Sequence, residues 1–596
     1  MAAADAGRRR VFHVELIKPS HYDDDGYVIQ WAKAWIPSNS LSCLYGITQQ
    51  VIAEGELGDD VEVVLNAYDE TNTVIPVKRI IRRLSRVGGS GLVCLVGVQS
   101  NQFPRAIDLA RRFRAADIQV AIGGFHVSGC IAMLPELPED LREALDMGVT
   151  LFAGEAEGRL GEFYADALGG RMKPLYNFMD DLPGMEGTPI PFLPAAMVRR
   201  YSGAVACCDA GRGCPFQCSF CTIINVQGRK SRYRDADDVE RLVRANVAQG
   251  ITRYFITDDN FARNRNWEAI FDRLGDLREE LDLPFSIIIQ VDTLCHKIPG
   301  FVAKAKRAGV SRVFIGLENI NPDNLMAAKK RQNRITEYRR MLQAWRDRQI
   351  ITYAGYILGF PADTPERIEH DIEIIKRELP IDILEFFCLT PLPGSEDHRN
   401  LYLKGIPMDP DMNIYDGEHV CTGHERMSNE EWQDIYNRAW DLYYSRDHVE
   451  TLMRRMVASG NKPERIWAHT MHFHGCIRFE KLHPLQGGYF RRKVRRQRRW
   501  GLKRENPLIF YPRRLWEVVS TYGPFAAYAV RLWWTCKRVK RDPASQTYTD
   551  LALMPVVEAE SEHLEMFEHS DAAKAAVAKA KAKAEAAARA AAVAAE

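Results

Sequence analysis

Cys214, Cys218 and Cys221 stand in Gly213-Cys-Pro-Phe-Gln-Cys-Ser-Phe-Cys221, a C-x3-C-x2-C spacing. One short loop thus offers three thiolates to a metal. A structural zinc site is closed by four protein ligands. A four-iron cluster takes one thiolate per iron, so three thiolates leave one iron open to a substrate. Gly211, Gly213 and Pro215 give the loop turn-forming residues. Cys207 and Cys208 lie just upstream and could supply a fourth ligand, closing the site as zinc or as an electron-transfer cluster. Spacing alone leaves both readings open.

The loop resembles that of the radical S-adenosylmethionine (SAM) enzymes, whose motif is C-x3-C-x-aromatic-C. Phe220 holds the aromatic place. The resemblance implies a [4Fe-4S] cluster on Cys214, Cys218 and Cys221, with SAM on the open iron. It implies reductive cleavage of SAM to a 5'-deoxyadenosyl radical that takes hydrogen from an unactivated carbon.

Later segments continue the resemblance. Thr257-Asp258-Asp259-Asn260-Phe261 occupies the place that binds the SAM amino group, where carboxylates suit an ammonium. Asp292, in Gln290-Val-Asp292, would meet ribose hydroxyls. Gly316 and Glu318, in Ile315-Gly-Leu-Glu318-Asn319, are similar to the ribose- and carboxylate-contacting segment. Leu358 lies in Gly355-Tyr-Ile-Leu-Gly-Phe-Pro361, similar to the fifth strand whose backbone approaches adenine. An acidic residue at a strand end is more often a turn or cap residue. The order of the segments behind one cysteine loop carries the weight.

These residues need strands to place them. Ala204–Cys207, Tyr254–Thr257, Ser286–Gln290, Val313–Leu317, Tyr353–Leu358 and Ile383–Cys388 are apolar runs separated by helical stretches. Six such pairs over 201–400 predict a partial (β/α)6 barrel, with chemistry at the C-terminal strand ends. Before it, Val11–Ile17, Val61–Leu65, Leu92–Val98, Ile118–Ile122 and Val149–Ala153 predict a doubly wound, Rossmann-like parallel sheet over 1–170. Residues 171–200 read as a linker and 401–545 as a mainly helical region. Residues 546–596 end in an Ala/Lys-rich tail, expected to be solvated and without chemistry.

A doubly wound domain ahead of such a barrel resembles the cobalamin-binding branch of the family. Gly123-Gly124-Phe125-His126-Val-Ser128 is similar to its glycine-rich nucleotide-tail segment. Gly97 and Ser100 lie at the preceding strand end, and Glu155 follows Val149–Ala153. The familiar cobalt-binding motif is D-x-H-x2-G. The turn matched to it reads Asp69-Glu-Thr71-Asn-Thr73, with Thr71 in place of histidine. The departure leaves cobalamin binding open. His126 reads as a structural histidine rather than a cobalt ligand.

Composition bounds the rest. Lys and Arg total 80 against 79 for Asp and Glu, so no global field points to nucleic acid. No RNA-binding module is recognisable. No apolar N-terminal run suggests export, and thirteen scattered cysteines suit a reducing cytoplasm. Residues 491–504 hold nine basic residues and no acid, and an aromatic-rich stretch follows to Cys536. That pattern fits a solvated helix leading into packed helices, or peripheral membrane contact through 491–536 with anionic lipid. His469, His472, His474, Cys476 and His483 match no standard metal spacing and read as structural.

The expectation is a radical SAM enzyme. Methyl transfer and oxidative cyclisation are the reactions considered. It would draw electrons from a flavodoxin or ferredoxin and act on a small or lipid-like molecule. A cobalamin-independent radical enzyme and a non-catalytic iron–sulfur or zinc protein are the alternatives.

Overall fold

The computed structural model describes residues 10–86, 90–556 and 563–595. The start of the expected first domain and parts of the tail lie outside them. The first sheet contains β1 (Arg10–Lys18), β2 (Val61–Asp69), β3 (Gly91–Leu95), β4 (Gln119–Gly123), β5 (Thr150–Ala153) and β6 (Leu175–Asn177). Its order is β2-β1-β3-β4-β5-β6, with every pair parallel. The order reverses beside β1, and ligands of doubly wound sheets bind outside the strand ends at such a point. The sheet is one strand wider than the sequence suggests. The short β6 falls in the segment read as a linker.

The second sheet runs in chain order through β7 (Val205–Cys208), β8 (Arg253–Ile256), β9 (Ser286–Val291), β10 (Val310–Glu318), β11 (Ile351–Leu358) and β12 (Ile383–Cys388). All pairs are parallel. Every residue of β11 is buried, as expected where helices cover one face and the barrel interior the other. The covering helices start at definite caps. Thr364 accepts from the Arg367 N–H, with Pro365 in the first turn. Ser428 and Glu431 cap each other reciprocally. All six expected barrel strands are present, with ends shifted by a few residues; β10 begins at Val310 rather than Val313.

Two parts of the C-terminal region differ from expectation. The basic segment does not open as a helix: Gly488–Arg492 is a strand antiparallel to Gln30–Ala34 near the N-terminus. Its cations find distant acids. Arg491 and Lys493 pair with Asp23, and Arg499 with Asp411. The segment read as a solvated tail also docks in part. Met566, Phe567 and Ala573 are buried against the barrel's hydrophobic core, and Arg455 pairs with Asp550. Apolar side chains preceding the Ala/Lys repeat make that possible. The histidine group is tied internally, as read: His474 to Asp441 and Tyr528, His483 to the Phe386 carbonyl, His469 to Tyr353.

Candidate active site

The cysteine loop leaves β7 and is fixed before it reaches its first thiol. Gly213 has φ of 88°, and a Cβ there would lie 2.6 Å from the Lys230 carbonyl oxygen, so glycine is required. Its N–H donates to Asp259 Oδ2 at 2.9 Å, tying the loop to the end of β8. The Cys214 N–H donates to the Gly228 carbonyl and the Ser219 N–H to the Ala328 carbonyl. Cys218 is buried and its sulfur accepts from Gln332 Nε2 at 3.4 Å. Burial pushes the thiols of Cys214 and Cys221 up to about 11 and about 12. They therefore ionise when a metal takes the proton's place.

The donor set fits a cluster better than a single zinc. Tetrahedral zinc–thiolate geometry puts sulfurs roughly 3.8 Å apart, from bonds of about 2.3 Å. Among the described residues, the one group of three or more metal-ligating side chains with all ligand atoms within 4.8 Å is Asp416, Glu418 and His419, not the cysteines. A wider triangle suits one thiolate per iron. Cys207 and Cys208 are buried in β7, and Cys207 donates to the Pro37 carbonyl. They lie in the strand rather than in the metal-binding loop.

Around the cysteines, the barrel strand ends supply charge. Glu318 closes β10 with φ of 63°, a strained conformation for glutamate. It forms an ion pair with the buried Lys330. The Lys330 ammonium lies 5.6 Å from the centre of the Phe220 ring. Burial opposes that charge, but Glu318 and Cys218 outweigh it and hold the lysine above its ordinary range. A Cβ on Gly316 would lie 2.8 Å from Glu318 Oε1 and 3.0 Å from Lys330 Nζ, so the missing side chain makes room for the pair. Burial, then repulsion from Asp258, pushes Asp259 up to about 8. Asp258 is pushed up to about 6 by burial, moderated by its bonds from Asn264 and Asn260. Thr257 Oγ1, Gln332 Oε1 and Asn319 Nδ2 are buried with no hydrogen-bond partner. Such orphans call for a polar ligand, and SAM supplies the matching ammonium, carboxylate and hydroxyls.

Some expected SAM residues are already engaged. Both Asp292 oxygens accept from Arg263, at 2.6 and 2.8 Å, and Oδ2 also accepts from Asn260. Asp292 Oδ1 also accepts from the Leu294 N–H, so Asp292 braces the site. The buried Leu358 carbonyl accepts from the Leu389 N–H and Trp432 Nε1. Sequence reasoning missed Arg212, Arg263, Lys330 and Gln332. Lys330 sits in Lys329-Lys330-Arg331, which reads as an ordinary solvated loop.

The first sheet opens on a cavity of about 160 Å³. Gly97, Gly123, Gly124, Phe125 and Glu155 line it, together with Leu16, Ala121 and Phe152. Asp69, Thr71, Ser100 and His126 do not. Asp69 ends the edge strand β2 and Thr71 follows it; Asp69 accepts from Thr71 at 2.6 Å and from the Tyr201 hydroxyl at 2.6 Å. That turn is held by its own hydrogen bonds, away from the lining of the first cavity. His126 is held between Ser100 and Asp140. The glycines serve chain packing: a Cβ on Gly124 would lie 2.2 Å from the Val98 nitrogen. Glu155 is paired with Arg212 at 2.6 Å and with Arg232. A largely apolar cavity at the switch point fits the flat base of a nucleotide tail. It presents no histidine to cobalt.

A second cavity of about 400 Å³ lies between the two sheets. Ser100 and Phe125 border it from the first sheet, Phe220 and Thr222 from the cysteine loop, and Ile357 and Leu389 from the barrel.

Comparison with known proteins agrees with this geometry. Residues 210–375 match the Radical SAM superfamily. The chain is 26% identical over 352 residues to bacteriochlorophyllide d C-8(2)-methyltransferase of Chlorobaculum tepidum, covering 56% of this chain and 73% of that one. It is 27% identical over 297 residues to hopanoid C-2 methylase of Rhodopseudomonas palustris, covering 48% and 53%. The fold resembles TsrM of Kitasatospora setae, a radical SAM methyltransferase solved with cobalamin and a [4Fe-4S] cluster. The TM-score is 0.55 at 16% identity, over 74% of this chain and 90% of that chain. It also resembles OxsB, a cobalamin-dependent SAM radical enzyme solved with aqua-cobalamin and SAM, with TM-score 0.50, 14% identity and coverage of 95% and 84%. The barrel is a radical SAM domain. The chain thus carries a radical SAM domain in its barrel, with a doubly wound domain ahead of it. As such it uses a [4Fe-4S] cluster and SAM and requires a reductant. Among the described residues, no helix is long and apolar enough to cross a membrane.

Proposed function

We propose that the chain is a cobalamin-dependent methyltransferase acting on an unactivated carbon of a large, mainly apolar molecule. The observation that carries this reading is the second cavity, bordered by the cysteine loop on one side and the first sheet on the other. A substrate there faces both halves of the enzyme. When bound, the cluster and SAM supply one-electron cleavage of a carbon–sulfur bond, and cobalamin supplies a methyl group carried on cobalt.

The chain's own residues hold and orient. Cys214, Cys218 and Cys221 ligate the cluster. Asp259 and Thr257 accept from the SAM ammonium, and Lys330, oriented by Glu318, meets its carboxylate. Asp258 and Asp292 brace this shell through Asn264 and Arg263. Gly97, Gly123, Gly124 and Phe125 border the nucleotide-tail cavity. Phe125, Phe220, Ile357 and Leu389 exclude water from the substrate cavity. The lining suits apolar substrates, as do the bacteriochlorophyllide and hopanoid named for the relatives. A flavodoxin or ferredoxin is the electron donor, and the C-terminal region brings the enzyme to a membrane where such substrates dissolve. We read 1–170 as the cobalamin domain, 201–400 as the radical SAM barrel and 401–545 as the substrate-side helical domain.

A second reading drops cobalamin, and the lack of any histidine lining the first cavity favours it. Anaerobic reconstitution with hydroxocobalamin separates the two. The first reading expects about one corrinoid per chain in the absorbance spectrum after gel filtration. A chain that retains none is cobalamin-independent.

A further inference from the structure

The helix Pro507–Arg541 has two apolar faces, and the fold uses one of them. Its 35 residues make a rod about 52 Å long at about 1.5 Å per residue. Phe510, Leu532, Thr535, Cys536 and Val539 are buried on one side. On the opposite side run Leu508, Leu515, Trp516, Val519, Val530 and Trp534, spaced at three, four and seven residues or their sums, as one helical stripe requires. Leu508 is 84% exposed, Trp516 71% and Trp534 68%. The positions between them on the stripe include Pro512, Gly523, Ala526 and Ala527, and no acid interrupts it. Phe490, 72% exposed and 6.3 Å from the Tyr522 ring, widens the patch. An apolar surface of this length is not left bare on a monomer without a partner.

Charge decides which partner. Residues 488–541 contain 16 Lys and Arg and only two acids, whereas the rest of the chain holds 64 Lys and Arg against 77 Asp and Glu. Both acids are already paired, Glu505 with Arg513 and Glu517 with Lys493 and Arg514. Arg492, Arg496, Lys503 and Arg504 are exposed and have no acidic partner among the described residues. Arg513, Arg531 and Arg538 repeat at 18 and 7 residues and so follow one edge of the stripe, Arg513 and Arg538 also pairing with Glu505 and Glu450. A second copy would bring like charge against like charge. An anionic lipid surface meets both needs, with apolar depth for the stripe and phosphates for the arginines. Tryptophans belong at that boundary.

We propose that the exposed stripe of Pro507–Arg541, with Phe490 and its arginine edge, lies in the plane of an anionic membrane surface and holds the enzyme there. The inference rests on the proposed apolar substrate for its purpose but not for its physics.

Vesicle flotation of the full-length, cluster-loaded protein tests it. Phosphatidylcholine–phosphatidylglycerol vesicles should carry the protein upward, and pure phosphatidylcholine about tenfold less. Raised salt should weaken the binding. Trp516→Ser with Trp534→Ser should lower partitioning about tenfold or more, with unchanged circular dichroism and unchanged 5'-deoxyadenosine release in solution. A wild-type protein that stays unbound, or a double variant that floats equally well, overturns the proposal. So does a lipid-free dimer in sedimentation that the same substitutions split, because the stripe then covers a second copy. Failure of the catalytic reading would appear separately, as no deoxyadenosine from either protein while flotation is intact.

Discussion

Arg212 and Glu155 meet at 2.6 Å in a buried ion pair. Glu155 follows β5 of the first sheet, and Arg212 precedes Cys214 by two residues. The same guanidinium reaches Glu157 at 2.6 Å and Asp209 at 2.8 Å. One side chain therefore couples the position of the cysteine loop to the floor of the first cavity.

Removing that guanidinium leaves three buried carboxylates without it. Arg212→Met should cost about 3–5 kcal/mol, read as a lower denaturant midpoint, and should reduce cluster loading. Arg212→Lys should not restore it, because an ammonium lacks the fork that reaches several acids at once.

The cysteine assignments separate cleanly. Alanine at Cys214, Cys218 or Cys221 should abolish the cluster's visible absorbance and 5'-deoxyadenosine release. Cys207→Ala with Cys208→Ala should leave iron content unchanged, because the pair is buried in β7. Loss of iron in the double variant would mean a fourth protein ligand and a closed site.

Much of this was legible in the residues. Parallel strands buried on both faces give continuous apolar runs such as Ile351–Leu358, so the barrel and the placement of Thr257 and Glu318 at strand ends could be read. Partners distant in sequence could not. Arg212 meets acids 55 and 57 residues away. The basic run looked free because Asp23, which neutralises Arg491, is 468 residues away. The strand Gly488–Arg492 has no alternation of its own and exists through pairing with Gln30–Ala34. Spacing likewise could not show that Asp69 and Thr71 lie away from the lining of the first cavity.

Lys330 should matter to SAM and not to iron. Lys330→Met leaves Glu318 without its cation and removes the charge above Phe220. SAM binding should weaken about 10–100-fold, the equivalent of a charge-assisted hydrogen bond. Cluster absorbance should be retained, and equilibrium dialysis with labelled SAM reads the change.

The first cavity can be filled. Ala156 lines it, and Ala156→Phe should cut cobalamin retention several-fold while overpacking costs about 1–3 kcal/mol. Corrinoid per chain after gel filtration is the readout, with iron content as the internal control.

Glu385 makes barrel stability depend on pH. It is buried in β12, Oε2 has no partner, and burial pushes its carboxyl up to about 8 from 4.5. A raised carboxyl contributes stability fully below its ordinary value, and that contribution is lost as pH rises toward the folded value. Between pH 4.5 and 8 the loss approaches about 1.4 kcal/mol per unit. Thermal melts should fall across that window, and Glu385→Gln should flatten the slope.

The most direct test is single-turnover SAM cleavage by the anaerobically reconstituted full chain, reduced with dithionite and followed by chromatography. The wild-type protein should release 5'-deoxyadenosine, and Cys218→Ala should release none. A wild-type chain with a fully loaded [4Fe-4S] cluster and bound SAM that releases no 5'-deoxyadenosine would contradict the account.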